Sequence, residues 1–144
     1  MSTKLFVVFN LTVSHFTRLE SRFLNLDILK QSLSDLDVVY DANSTVICGH
    51  KGENTKAELV IHQSNGHDIG FEWTDDKGYD LVADLAFWAQ PYSPDTFLGY
   101  LHQRYAVNVV LAQSEKGNLE LHQYETQPDG KIRLRMGLHL NGVS

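Results

Sequence analysis

Between Ala57 and Trp88 three apolar runs alternate with two turns, and this stretch limits the possible folds more than any other. The first run, Glu58 to Gln63, is followed by Ser64-Asn65-Gly66-His67 and then by Ile69 to Trp73. Asn-Gly between apolar runs predicts a β-hairpin, because a type I′ turn needs positive φ at both central residues. A second turn, Asp75-Asp76-Lys77-Gly78, leads into a third run from Tyr79 to Trp88. The spacing predicts a three-strand meander. With Asn65-Gly66 as a two-residue loop, Val60 faces Phe71, His62 faces Ile69 and Glu58 faces Trp73. Alternation then places Val60, His62, Ile69, Phe71 and Trp73 on the core face. Leu59, Ile61, Gly70 and Glu72 share a mixed face that is covered in part, and His62 and Asp68 fall on opposite faces. On the third strand Tyr79, Leu81 and Ala83 alternate with Asp80, Val82 and Asp84.

The flanking segments supply helices and further strands. Residues 13–23 alternate loosely and read as a strand. Asn25 suits a helix N-cap, with Asp27 in the first turn and a hydrophobic staple between Leu24 and Leu29. Leu29, Leu33 and Leu36, joined by Ile28, give the apolar stripe of a short helix ending near Leu36. Val38-Val39-Tyr40 predicts a strand, Thr45 to Cys48 an extension of it, and Gly49 to Lys56 a loop. Ser93 followed by Pro94 and Asp95 starts a second helix with the stripe Phe97, Leu101, Tyr105, running to Lys116 with Gly117 as its cap. The closing hairpin turns at Asp129-Gly130, setting Leu121 opposite Leu138, Leu119 opposite Leu140 and Tyr124 opposite Arg135 as an exposed cation–π pair. Ile132, Leu134, Met136 and Leu138 then point inward. The element order predicts an α+β fold: a mostly antiparallel sheet, made of the meander plus the C-terminal hairpin, with two main helices packed on one face.

The chain has 144 residues, enough for one domain with a sizeable core, and no repeat or low-complexity segment. Its net charge of −6 argues against nonspecific nucleic-acid binding, which rests on clustered Lys and Arg. The short ladder of Arg133 and Arg135 reads as a solubilising strand face rather than an RNA reader. A single cysteine, Cys48, excludes an internal disulfide and a Cys-based zinc site; it reads as a small, half-buried residue near a strand end. The apolar lead Leu5 to Leu11 is too short to span a bilayer and lacks a small-residue cleavage site.

No motif of known chemistry is present. The seven histidines form no H-x-x-x-H or H-E-x-x-H pair, so no metal site or cofactor is expected. Glu72, Asp75, Asp76, Asp80 and Asp84 read as a solvated acidic edge rather than a catalytic pair, which would need two carboxyls held in a cleft. Phosphate loop, nucleophile elbow and dinucleotide fingerprint are all missing. Trp, Tyr and Arg dominate protein–protein hot spots, so Trp88, Tyr100, Arg104 and Tyr105, with His15, are the candidate partner-binding residues. Core packing is the competing reading for Trp88 and Tyr105. The alternative site, for an enzyme or a small-molecule or metal sensor, is the acidic, histidine-bearing meander at His62, Glu72 and Asp84.

Several segments together resemble a known family. These are Ser14-His15-Phe16-Thr17, the stretch Asn25 to Leu33, Asn65-Gly66-His67-Asp68-Ile69-Gly70-Phe71, the stretch Tyr79 to Leu85, Phe87-Trp88, Gln103-Arg104-Tyr105-Ala106, and Asp129 to Leu134. Their order and spacing resemble the hypothetical chloroplast reading frame thirty-five family of cyanobacteria and algal plastids. Family members usually begin with Met immediately before Ser-His-Phe, where this chain has Val13. Residues 1–13 are therefore expected to be an extension, with residues 14–140 a single α+β domain. The resemblance implies a photosynthetic lineage, a place in the cyanobacterial cytoplasm or plastid stroma, and no particular reaction. A non-catalytic accessory or assembly protein that binds another protein is the expected function.

Overall fold

The computed structural model describes residues 16–43, 46–48, 54–116, 119–129 and 132–138; at 54, 115–116, 119–121, 124, 126, 132, 134, 136 and 138 it describes the backbone alone. The elements are β1 (Thr17–Phe23), α1 (Leu26–Asp35), β2 (Val46–Cys48), β3 (Asn54–Lys56), β4 (Leu59–Ile61), β5 (Ile69–Thr74), β6 (Gly78–Ala83), a 3₁₀ turn (Leu85–Phe87), α2 (Pro94–Lys116), β7 (Leu119–Thr126) and β8 (Ile132–Leu138). An antiparallel sheet in the order β1-β6-β5-β4 carries both helices on one face, so the α+β expectation holds. The C-terminal hairpin does not join that sheet. Strands β7 and β8 form their own two-stranded ladder after α2.

The meander forms, but its first register is one residue from the expected one. Leu59 pairs with Phe71, Val60 with Gly70 and Ile61 with Ile69. A one-residue slip exchanges the faces. Leu59 and Ile61 therefore enter the main core with Ile69, Phe71, Leu81 and Ala83, and His62 does not. The cause is loop length. Residues 62–68 all lie outside the ladder, and Gly66 N–H donates to Gln63 O at 3.0 Å across a turn in which only Gly66 has positive φ, at +80°. Asn65 works through its side chain instead, accepting from His67 N–H at 3.0 Å and donating to Phe87 O at 2.9 Å. Ile69 and Phe71 face the core in either register; this one adds Leu59 and Ile61 where the other would have added Val60 and an imidazole. Burying Ile61 rather than the polar ring favours it by about 1.5–3 kcal/mol. Trp73 lies beyond the edge of the core, 40% exposed, with its ring edge-on to Tyr79 at 5.0 Å.

The opposite face is covered by the β2–β3 hairpin, where a loop was expected at residues 54–56. Ile47 and Ala57 pack on Val60 and Val82 in a second small core. Gly70 permits the close approach: a Cβ there would lie 2.8 Å from both Ala57 Cβ and Ile47 Cγ2. Because Ile47 faces inward, Cys48 is exposed rather than half-buried.

Asn25 caps α1 as expected, accepting from Ile28 N–H at 3.0 Å. Leu24 is 65% exposed, so the staple with Leu29 does not form; Leu29 instead turns fully into the core. Leu33 joins it there. Helix α2 starts at Ser93, whose Oγ accepts from Thr96 N–H at 3.2 Å, and runs unbroken through Gly99 and the valines. Its proposed cap, Gly117, lies outside the described residues. Val38-Val39-Tyr40 forms no strand; its neighbour Asp41 makes a single antiparallel bridge to Val60. In the C-terminal hairpin Tyr124 pairs with Leu134, Gln123 with Arg135 and Leu121 with Met136, so the expected Tyr124–Arg135 pairing does not form. A longer connection than two residues and an irregularity between Leu121 and Gln123 shift the register. The inward side chains of β8 lie outside the described residues.

A candidate docking groove beside His62

A groove of about 530 Å³ opens where the chain leaving α1 diverges from the end of β4. Ile61 and Phe97 line it, both buried. One wall is Leu36, Val38 and Val39; the other is Pro91, Tyr92 and Tyr100, with Asp37, His62 and Gln90 completing the lining. Val39 is 84% exposed, and Tyr92 and Tyr100 are exposed too. The lining is mainly apolar with a few polar groups, the composition typical of binding sites.

The first wall is set by how α1 ends. Val38 N–H donates to Leu33 O at 2.9 Å, and Asp37 N–H donates to Ser34 O at 3.0 Å. That is a Schellman motif, with Asp37 at the left-handed position that glycine usually fills, at φ +60°. The second wall is tied down by Gln63, which is buried. Its amide nitrogen donates to His67 O at 2.6 Å and Phe87 O at 3.2 Å, and its oxygen accepts from Ala89 N–H at 2.7 Å and Gln90 Nε2 at 3.1 Å. The His67 ring lies flat on Phe87 with centroids 3.9 Å apart. Trp88 Nε1 donates to Tyr92 O at 2.6 Å, and Trp88 packs edge-on against Phe97 at 5.5 Å. Tyr92 and Tyr100 meet edge-to-face at 4.9 Å.

His62 sits between two carboxylates. Its Nδ1 is 2.8 Å from Asp68 Oδ1 and its Nε2 is 3.1 Å from Asp41 Oδ2. Two ring nitrogens can both donate only in the imidazolium form. The hydrogen bond to Asp68 raises the His62 pKa most, followed by that to Asp41. Asp68 is buried, and its other oxygen accepts from Cys48 N–H at 2.8 Å while its own N–H donates to Cys48 O at 3.0 Å. The β2–β3 hairpin thereby holds the acid that holds His62. The expectation that His62 and Asp68 lie on opposite faces is corrected: neither is in a ladder, and the loop brings them together. Among the described residues no group of three or more His, Cys, Asp or Glu side chains is arranged to hold a metal ion.

Of the expected partner-binding residues, Tyr100 lines the groove and Trp88 packs behind it. Arg104 bonds Asp35 across the two helices at 2.8 Å. Burial alone would raise the Asp35 pKa, but hydrogen bonds from Asn108, Arg104 and Gln31 outweigh it and hold the carboxyl below its ordinary value. Tyr105 packs on Phe23, and its hydroxyl accepts from Asn25 N–H at 2.9 Å. His15 lies outside the described residues. The alternative trio does not assemble around one point. Glu72 bonds Arg18 at 2.6 Å, and Asp84 caps the 3₁₀ turn through Ala86 N–H at 3.1 Å; His62 alone lines the groove. Asp37, Asp41, Gln63 and Asp68 were not singled out from sequence as site residues. Their roles depend on loop contacts that no periodicity encodes.

The signature of a family described as protein of unknown function (DUF1257) matches residues 32–135. The chain belongs to this family. The DUF1257 match spans every groove residue. The chain is similar to uncharacterized protein ycf35 of Guillardia theta, 39% identical over 124 residues that cover 86% of this chain and 96% of that protein. It is 38% identical to ycf35 of Pyropia yezoensis over 85% of this chain and 94% of the relative, and 34% identical to that of Cyanophora paradoxa over the same shares. No solved structure matches the chain. Among the described residues of this DUF1257 protein, no helix is long and apolar enough to cross a membrane.

Proposed function

We propose that this protein is a non-catalytic accessory or assembly factor of a photosynthetic organism, acting in the plastid stroma or cyanobacterial cytoplasm by binding another protein in the groove beside His62. The observation that carries this reading is the exposed apolar lining: Val39, Tyr92 and Tyr100 present large side chains to solvent around a groove of about 530 Å³. Exposed apolar surface of this kind marks interaction sites. The algal relatives support the setting, and the net charge of −6 argues against a nucleic-acid partner. Tyr100 is the contact residue, and Trp88 holds the wall behind it. The test is affinity capture of the full chain from a photosynthetic cell lysate, analysed by native mass spectrometry, beside Tyr100→Ala and Arg133→Ala variants. A stoichiometric protein that Tyr100→Ala loses and Arg133→Ala keeps supports the proposal. Absence of any partner, or a partner indifferent to Tyr100→Ala, refutes it.

His62 at the groove favours one second reading, a sensor that takes a small molecule in the same cavity. Its sign would be a chain isolated as a monomer with a bound small molecule.

A further inference from the structure

We propose that the occupant of the groove is an extended segment of the partner polypeptide, laid alongside Val38–Tyr40, with a bulky apolar side chain in the groove and a Lys or Arg beside it. This rests on the docking reading above and names the chemistry of the partner.

Three independent features point to such a segment. Val38-Val39-Tyr40 has the β-branched and aromatic composition of a strand, and its burial alternates with period two: Val38 and Tyr40 pack on the core while Val39 is 84% exposed. Yet among the described residues no hydrogen bond involves the backbone of Val39 or Tyr40. A stretch with strand composition and an unfilled ladder suits a peptide that adds as a strand, where main-chain bonds give affinity and a pocket for a side chain gives specificity. The groove supplies that pocket directly beside the stretch, between Val38 and Val39 on one side and Pro91, Tyr92 and Tyr100 on the other.

Charge selects among apolar peptides. Among the described residues, no lysine or arginine lines the groove. Asp37 lines the groove, and His62, which lines it too, is held between the carboxylates of Asp41 and Asp68 behind it, so among the described residues carboxylates outnumber basic groups at this end of the groove. Asp37 holds a backbone conformation at φ +60° that glycine would adopt at lower cost, and it is one of the groove-lining residues. A basic residue flanking the apolar anchor complements that rim.

The test uses random linear peptides displayed on phage, selected against the full chain, with the recovered sequences then made synthetically. Binding is measured by calorimetry and by amide NMR shifts. Recovered peptides are expected to share a large aliphatic or aromatic residue within two positions of a Lys or Arg, and to shift the Asp37, Val39 and Tyr100 resonances. Asp37→Asn, which keeps the backbone conformation accessible, is expected to weaken them roughly two- to fivefold, as for an exposed charge pair. Tyr100→Ala is expected to weaken them about tenfold. Recovery of no peptide, or of peptides that leave these resonances unmoved or ignore both variants, overturns the inference. If a folded partner still depends on Tyr100 in that case, the docking reading stands and only the extended-segment inference falls. If nothing depends on Tyr100, both fall.

Discussion

Replacing Gly70 by alanine tests how the covered face of the sheet supports the groove. The new methyl would lie 2.8 Å from Ala57 Cβ, 2.8 Å from Ile47 Cγ2 and 3.2 Å from Ile47 Cδ1. Ordinary carbon contacts are about 3.5–4.0 Å, so two atoms overlap by close to 1 Å. Ala57 cannot rotate away, and Ile47 is fully buried. Relief therefore requires the β2–β3 hairpin to lift. Overpacking of this kind costs about 1–3 kcal/mol, and we expect about 2 kcal/mol, seen as a lower urea midpoint at unchanged m. The lift should also reach the groove. Cys48 rides on β2 and bonds Asp68, which bonds His62, so the His62 pKa should fall back toward 6.5 in an NMR titration. Ile47→Ala alone costs about 2–4 kcal/mol as a cavity. Combined with Gly70→Ala it should cost less than the sum, because the truncated side chain makes room for the methyl. A loss below about 0.5 kcal/mol with an unchanged His62 titration would refute this coupling of hairpin, acid and histidine.

Four other outcomes follow from the geometry. The His62 pKa is raised in the fold, so its two hydrogen bonds stabilise fully below 6.5 and less as pH rises through the folded value; the stability gap between wild type and His62→Gln should narrow with rising pH in thermal melts. His102 stacks on Phe23 at 4.5 Å and burial lowers its pKa, so it acts oppositely, costing stability as pH falls below 6.5; His102→Gln should lessen acid sensitivity in that range. Asp37→Gly should raise stability by about 0.5–1 kcal/mol in urea unfolding, because it relieves a non-glycine residue at φ +60°. Arg104→Ala should cost about 1 kcal/mol, measured the same way, and leave partner capture intact, because Arg104 is already bonded to Asp35.

What the sequence made legible divides along physical lines. Local signals were sound where a side chain talks to its own backbone: Asn25 and Ser93 cap their helices, and the alternation of Tyr79, Leu81 and Ala83 puts the last two in the core. Turn chemistry misled where long-range bonds compete with it. Asn65-Gly66 has the composition of a tight hairpin, but the Asn65 amide bonds Phe87 O, twenty-two residues on, and the loop widens. That widening moved His62 from the expected core face to the groove. Val38–Tyr40 has the composition of a strand, but no strand forms there; the structure provides only the Asp41–Val60 bridge next to it. Arg104 illustrates a different limit. Its residue type suits an interface, but only the packing of α1 against α2 shows that Asp35 lies within reach. Asp37, which lines the groove, and Asp41, Gln63 and Asp68, which support it, come from two separate connections, one after α1 and one between β4 and β5, and neither helical nor strand spacing brings those connections together.

The central claim is that the face around Tyr100 is where another protein docks. Placing a photo-crosslinking amino acid at Tyr100 and, separately, at Arg133, and irradiating living photosynthetic cells, tests it most directly. The account predicts one discrete adduct from Tyr100, lost when Val39→Asp is added, and no such adduct from Arg133. A Tyr100 probe that captures nothing while the Arg133 probe yields a defined adduct would contradict it.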